Sequence, residues 1–297
     1  MNNAGRGASK FPLRLDAMSS RNKVARTPAL PAAALALGAA PKLQATAAAA
    51  RAMLRPQRPV EHAHTHAARR DVPSGLGLDS ADVRRRMAQR LRSAGVDDDR
   101  VILAMATVPR HLFVDAALVT QAYEDTSLPI GHGQTISKPS VVARMIELLL
   151  RGHGAAASGS LGRVLEIGTG CGYQAAVLAL LAKQVVSVER VSALHEKARE
   201  LLAPLRPANT RLVFGDGTRG HAPNAPYDSI IAAAGGENLP TAWLDQLAIG
   251  GRLVLPLRQP GSPRQVLMVI DRTDRGFEQN VHEAVHFVPL KSGTVAR

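Results

Sequence analysis

The stretch EIGTGCGY sets Gly168, Gly170 and Gly172 at alternate positions between a β-rich run and a helix-forming one. Glycine there permits a tight turn and lets a ligand approach backbone amides at a helix N-terminus. The spacing alone fits any strand-to-helix turn, but three carboxylates sharpen it. Glu166 lies two residues before Gly168. Glu189 ends the next β-rich run, 21 residues beyond Gly168, where a carboxylate can accept from both hydroxyls of a ribose. Asp216, flanked by Gly215 and Gly217, ends the third such run, where a carboxylate can meet an adenine amino group.

These residues ask for a nucleoside cofactor. The dinucleotide fingerprint needs its third glycine one position later, where this chain has Tyr173, and no Walker lysine is present. Acidic groups suit a ligand bearing a sulfonium and an ammonium better than one bearing a pyrophosphate. The pattern therefore favours S-adenosylmethionine over NAD. A second segment also points to a ligand. LPIGHGQTISKP, residues 128–139, crowds glycines and prolines around a polar tetrad, more backbone restriction than a plain connector needs.

The elements that must position these groups follow from apolar periodicity. DSADVRRRMAQRLRSAGV is expected as a helix with Val83, Met87 and Leu91 on one face, capped by Asp79 or Ser80. A second helix ends near Pro109, and SVVARMIELLL forms a third, with Val142, Met145, Ile146 and Leu149 as its apolar stripe. From Arg163 the chain alternates RVLEIG, QVVSVER, TRLVFGDG and YDSIIAAAG with helical runs, the last being PTAWLDQLAIGG, stopped by Gly250 and Gly251. RLVLPLR, QVLMVIDR and VHEAVHFVPL then follow as strands. Such alternation predicts an α/β fold, a doubly wound, mostly parallel sheet with an antiparallel edge.

Charge divides the chain. Residues 1–78 hold 12 of the 37 Lys and Arg but only 3 of the 24 Asp and Glu, so most of the +13 net charge belongs to this Ala-, Pro- and Arg-rich segment. It lacks the apolar surface to offset its ordering entropy and reads as a disordered tail before a domain at 79–297. Residues 29–40 follow a basic run as a signal peptide would, yet they begin far inside the chain beside Pro28 and Pro31, which argues against export. His62, His64 and His66 in this tail read as an incidental weak chelator. The tail's charge suits only salt-sensitive attraction to nucleic acid or lipid, since it has no recognition helix or stacking aromatics. The single cysteine, Cys171, excludes an internal disulfide framework and fits the cytoplasm.

Over roughly residues 80–297 the sequence resembles the protein-L-isoaspartate (D-aspartate) O-methyltransferase family. LPIGHGQTIS, VLEIGTGCGYQ, SVER, GDGTRGHAPNAPYDSI and FVPLKSG stand in that family's order. His221, Gly235 with Gly236, and Cys171 depart from its usual residues without removing a carboxylate or a loop glycine. The resemblance implies that Gln134, Thr135 and Ile136 pack on S-adenosylmethionine, beside Glu166, Gly168, Gly170, Gly172, Glu189, Asp216 and Gly217. It implies that Ser137 touches the carboxylate of an isoaspartyl residue in a damaged protein. Read as a sequence position, Ser137 could equally cap the following helix, a task for which Ser140 competes. The implied reaction is an in-line displacement by a carboxylate already ionised at neutral pH, so it needs neither general base nor metal.

Three rivals fit less well. An NAD oxidoreductase is opposed by Tyr173. An amino-group nucleic-acid methylase would carry an Asn/Asp-Pro-Pro-aromatic motif where this chain has AAAGG, and a serine hydrolase would need a G-x-S-x-G elbow around its nucleophile. The tail reading is directly testable. Deleting residues 1–76 should leave both the melting temperature and peptide methylation nearly unchanged. An insoluble or inactive truncate would show that the tail packs on the body.

Overall fold

The computed structural model describes residues 81–259 and 261–296. The expected Asp79 or Ser80 cap, the tail and its histidines lie outside the described residues. In chain order the elements begin with α1 (Ala81–Ser93) and α2 (Asp99–Thr107), then a hairpin of β1 (Leu128–Gly131) and β2 (Gln134–Ile136). α3 (Pro139–Leu150) and α4 (His153–Ser158) lead into β3 (Arg163–Ile167), α5 (Tyr173–Ala179), β4 (Gln184–Glu189), α6 (Ser192–Leu202) and β5 (Thr210–Phe214). β6 (Tyr227–Ala232), α7 (Thr241–Gln246), β7 (Leu247–Arg258), β8 (Gln265–Thr273) and β9 (Gly276–Val285) complete the order.

Strand alternation builds two apolar layers. Val164, Val185, Ile231, Val254 and Val269 join one buried cluster, with α1, α2, α3 and α5. Their chain neighbours Leu165, Val186, Ile230, Leu253 and Ile270 join a second, with Trp243 and Leu244 of α7. A period of two sends successive side chains to opposite faces, so the clusters are the two sides of one sheet. Its order is β5-β4-β3-β6-β7-β8-β9. β3 to β7 pair in parallel, while β8 and β9 run antiparallel at the edge. Between β4 and β6, which flank β3, the winding reverses, and that reversal opens a crevice beyond the carboxyl ends of the strands.

Three details differ from the sequence-based expectation. Gly250 and Gly251 do not stop a helix; α7 ends at Gln246 and both glycines lie within β7. The register slips there, Gly250 has φ 78° and Gly251 lies against the carbonyls of Ala248 and Asp228, which makes a glycine-dependent bulge. At the far end β9 closes at Val285, so residues 286–290 leave the sheet. The Gln265 side chain takes over the pairing, accepting from Phe287 N at 2.7 Å and donating to Phe287 O at 3.3 Å. The 128–136 segment, expected as a loop, is a hairpin. It turns through Gly131, His132 and Gly133, all at positive φ, with open space where a Cβ would sit on either glycine.

Depth along the strand decides the fate of Glu166, which pairs with Ser187, two residues short of Glu189. Expected at the cofactor, it is fully buried on the opposite face from Ile167, and its carboxyl accepts from Ser187 Oγ, itself 2.6 Å from Thr169 Oγ1. Burial pushes its pKa up to about 8, and the Glu189 charge adds to the rise while the bond from Ser187 opposes it. Glu166 is therefore protonated at neutral pH. A carboxyl pKa raised by folding contributes stability fully at low pH, and that contribution is lost progressively from the ordinary value of 4.5 up to about 8. The melting temperature of Glu166→Gln relative to the native protein should climb over that interval and level off above it. Scanning calorimetry across the range checks this, and a constant difference would refute it.

Candidate active site

A cavity of about 360 Å³ lies in the crevice at the ends of β3, β4 and β6. Residues 167–171 form its floor, Val188 to Val191 one wall, and Gln134, Thr135, Ile136 and Ser137 the opposite wall. Gly217, Ala233, Ala234 and residues 288–291 close the remaining sides. Eight expected residues are thus brought together: Gln134, Thr135, Ile136, Ser137, Gly168, Gly170, Glu189 and Gly217.

The floor is shaped by backbone conformation. Gly168, Gly170 and Gly172 have φ of 91°, 55° and 91°, a region where an L side chain is strained. Glu189 locks this turn to the neighbouring strand. Its Oε2 accepts from Gly170 N and its Oε1 from Val191 N, each at 2.9 Å. A carboxylate oxygen has further lone-pair capacity, so both can still accept from a ligand hydroxyl. Ile167, Val188, Val191 and Leu194 supply an apolar slot beside that carboxylate. A ribose acceptor, an apolar slot for a base and a floor of glycines without side chains fit the nucleoside cofactor that the sequence implies.

The opposite wall hangs from the hairpin. Lys197 Nζ donates to Ile130 O at 2.9 Å, and Ile130 packs over Gly170. Arg110 Nη2 donates to Ser137 O at 2.7 Å. Ser137 is half-buried, and its Oγ has no hydrogen-bond partner among the described residues. The capping alternative fails for both serines, because Lys138 occupies the cap position without a side-chain bond. Asp125 satisfies the helix start instead, its Oδ1 accepting from Ser140 N and its Oδ2 from Ser140 Oγ. Ser137 lines the cavity, and its hydroxyl takes no part in the helix start.

The third side is the C-terminal segment, which entered the sequence reading only as the block FVPLKSG. Gly235 N donates to Val288 O and Leu290 N to Gly235 O, both at 2.8 Å. Proline at 235 would forfeit the first of these bonds, and any Cβ there would strike the Gln265 amide at 2.4 Å. That accounts for the departure at Gly235. Arg190 Nε donates to Gly293 O at 2.9 Å, and Val295 N to Arg190 O at 2.7 Å, so the segment is tied across the end of β4. His221 lies away from the cavity, its backbone N bound to Gln246 Oε1 and its O to the Tyr227 hydroxyl. Burial, then the Arg211 charge, lowers its pKa.

Three expected contacts are not among the cavity walls. Glu166 is turned into the sheet, as described. Gly172 starts α5 against Leu202 and Ala198, where a Cβ would meet Leu202 at 3.0 Å. Asp216 spends its carboxylate inside the protein: Oδ1 accepts from Thr218 N and Oγ1, and Oδ2 from Gly293 N at 2.7 Å. Burial acts against these bonds, yet they and the Arg219 charge hold its pKa below the usual range. Sequence reasoning had also passed over Arg110, a lone cation inside an apolar run whose only signal was that isolation.

Residues 82–295 match the family described as Protein-L-isoaspartate(D-aspartate) O-methyltransferase (PCMT). A protein-L-isoaspartate O-methyltransferase of Methylibium petroleiphilum is 58% identical over 290 residues, 97% of this chain and 98% of that one. Its counterpart in Leptothrix cholodnii is 61% identical over 241 residues, 81% of this chain and 84% of that one. A solved structure of a Plasmodium falciparum protein described by the same activity, in complex with S-adenosyl-L-homocysteine, superposes with a TM-score of 0.58. It shares 26% identity and covers 70% of this chain and 98% of that one. With the fold, the glycine turn and the QTIS wall in place, these matches show that the chain belongs to the protein-L-isoaspartate (D-aspartate) O-methyltransferase family.

Proposed function

We propose that this protein transfers the methyl group of S-adenosylmethionine to the free carboxylate of L-isoaspartyl, and D-aspartyl, residues in damaged proteins and peptides. The observation that carries the reading is one cavity walled by Glu189 and the glycine turn on one side and by residues 134–137 on the other. Glu189 accepts from the ribose while the 167–170 turn and the apolar slot hold the remainder of the cofactor. Gln134, Thr135 and Ile136 cover it, and Ser137 Oγ donates to the acceptor carboxylate. S-adenosylmethionine supplies an electrophilic methyl on a positively charged sulfur.

The chain's residues have little covalent work to do. The acceptor carboxylate is already a nucleophile, so no proton needs to be removed. Holding its oxygen in line with the methyl at near-attack distance removes most of the entropic barrier. The new O–CH3 bond forms as the S–CH3 bond breaks, and both charges vanish, which a pocket poor in water favours. The ester then leaves the enzyme. The adjacent backbone nitrogen attacks its carbonyl, expels methanol and closes a succinimide, which water reopens partly to normal aspartate. Repair is the net outcome.

Among the described residues no helix is long and apolar enough to cross a membrane. The cytoplasmic assignment rests on Cys171, free and buried, and the exclusion of a specific nucleic-acid partner on the missing recognition elements. Residues 79–297 are taken as the catalytic domain and 1–78 as a basic appendage.

Two substitutions and one substrate pair test this. The protein should methylate an isoaspartyl peptide and ignore its aspartyl twin; equal labelling of both, or of RNA, sinks the reading. Glu189→Ala removes a charged acceptor, about 1.5–3 kcal/mol, and should weaken cofactor binding roughly ten- to a hundred-fold. Calorimetry with unchanged affinity would argue against the ribose assignment. Ser137→Ala loses one charge-assisted bond, so kcat/KM should fall roughly ten- to a hundred-fold. A loss beyond about four decades would indicate a covalent nucleophile and a different mechanism.

A further inference from the structure

Arg110 opens a short 3-10 turn, Arg110–Phe113, after Pro109. Its side chain is completely buried, with 0% exposure, yet no carboxylate among the described residues reaches it. Nε donates to Ala122 O at 2.8 Å, Nη2 donates to Ser137 O at 2.7 Å, and Nη1 has no partner. The guanidinium carbon lies 4.6 Å from the centre of the Tyr173 ring. Ser137 and Tyr173 both line the cavity, so an uncompensated cation stands directly behind its acceptor wall.

Pinning two carbonyls does not account for this charge. A neutral amide could donate to either, whereas an unpaired buried ion costs several kcal/mol of lost hydration. Tyr173 and Cys171 nearby are kept neutral by burial. Tyr123, whose pKa burial also raises, shares its hydroxyl with His111 Nδ1. Asp125 reaches Arg110 only through space, its oxygens being held by Ser140. His132, Glu189, Arg190 and Lys291 are the charged or titratable groups on the other cavity walls.

We propose that Arg110 is a positioning residue that gives the acceptor end of the cavity its positive charge, drawing the substrate carboxylate to Ser137 and holding it there as the anion. The inference rests on the assignment of a carboxylate acceptor at Ser137. A water-poor pocket favours protonation of a carboxylate, and a protonated acid is a poor nucleophile; a cation fixed behind the wall opposes that. The methyl ester is neutral and gains nothing from the cation, so the same charge speeds exchange of product for substrate.

The test is the pH profile of kcat on a saturating isoaspartyl peptide, whose acid limb reports the bound carboxylate, measured with the full chain and its Arg110→Gln and Arg110→Lys variants. In Arg110→Gln the acid limb should move up by about one pH unit or more, with KM rising tenfold or more and the plateau kcat changing less. Arg110→Lys should restore the limb, since it returns the charge without the guanidinium fork. An even fall in kcat with the limb unmoved would mean that Arg110 only props the hairpin wall, and the proposal falls. A second measurement covers variants that do not fold. With native protein and S-adenosylhomocysteine, a 13C-labelled isoaspartyl carboxylate should titrate at lower pH when bound than when free. An equal or higher midpoint overturns the proposal. A native protein that methylates neither peptide overturns the acceptor assignment and this inference together, whereas selective methylation with an unmoved limb overturns this inference alone.

Discussion

The Glu189 carboxylate holds the crevice in its shape. One oxygen takes the amide of Gly170 and the other that of Val191, so the glycine turn and the start of α6 are tied to the end of β4. A turn whose glycines all have positive φ has few side-chain contacts of its own to fix it. A charged acceptor binding its amide supplies that rigidity, at about twice the strength of a neutral hydrogen bond. The hairpin packs on Gly170 through Ile130, and the C-terminal segment crosses beside Arg190, so both inherit their placement from the same strand end.

Few of the connections around the cavity are strand pairings. Gln265 to Phe287, Asp216 to Gly293, Arg190 to Gly293, Arg110 to Ser137 and Lys197 to Ile130 are all side chains bonding distant backbone. Such bonds hold irregular segments without extending the sheet, which leaves the segments free to face a ligand. Asp216 shows the consequence. The carboxylate that the sequence suggests for an adenine is already engaged by Thr218 and Gly293, and it stabilises the wall rather than lining it.

Much of this was legible beforehand, and the reasons differ by residue. The strands from Arg163 onward announce themselves by β-rich runs punctuated with glycine, and the sheet follows from their alternation with helices. The QTIS segment was recognisable through its resemblance to a family that the comparisons then bore out. Depth was not legible. Glu166 and Glu189 are both acidic residues near strand ends on one face of the sheet, but Glu166 pairs with Ser187 and Glu189 lies two residues nearer the carboxyl end, which separates a carboxyl sunk in the core from one at the crevice. The hairpin at 128–136 and the early end of β9 depend on pairings between specific backbone groups, which no local pattern encodes. Gly250 and Gly251 read as a helix stop because a bulge and a stop use the same residue.

Burial treats the two ends of the site in opposite ways. At Glu166 it removes charge, since a carboxyl with one strong donor and an acidic neighbour is more stable protonated. At Arg110 it cannot, because a guanidinium stays protonated even when its pKa is pulled down by desolvation. The outcome is a cavity with an anion, Glu189, at the cofactor end and a cation behind the acceptor end. That polarity matches a reaction whose two substrates carry opposite charges and whose products carry neither. It aligns the reactants before transfer and relaxes its hold afterwards, because a neutral ester and thioether feel little of either field. An arrangement that bound both states equally would lower KM without raising turnover, so the charge separation belongs to catalysis as much as to binding.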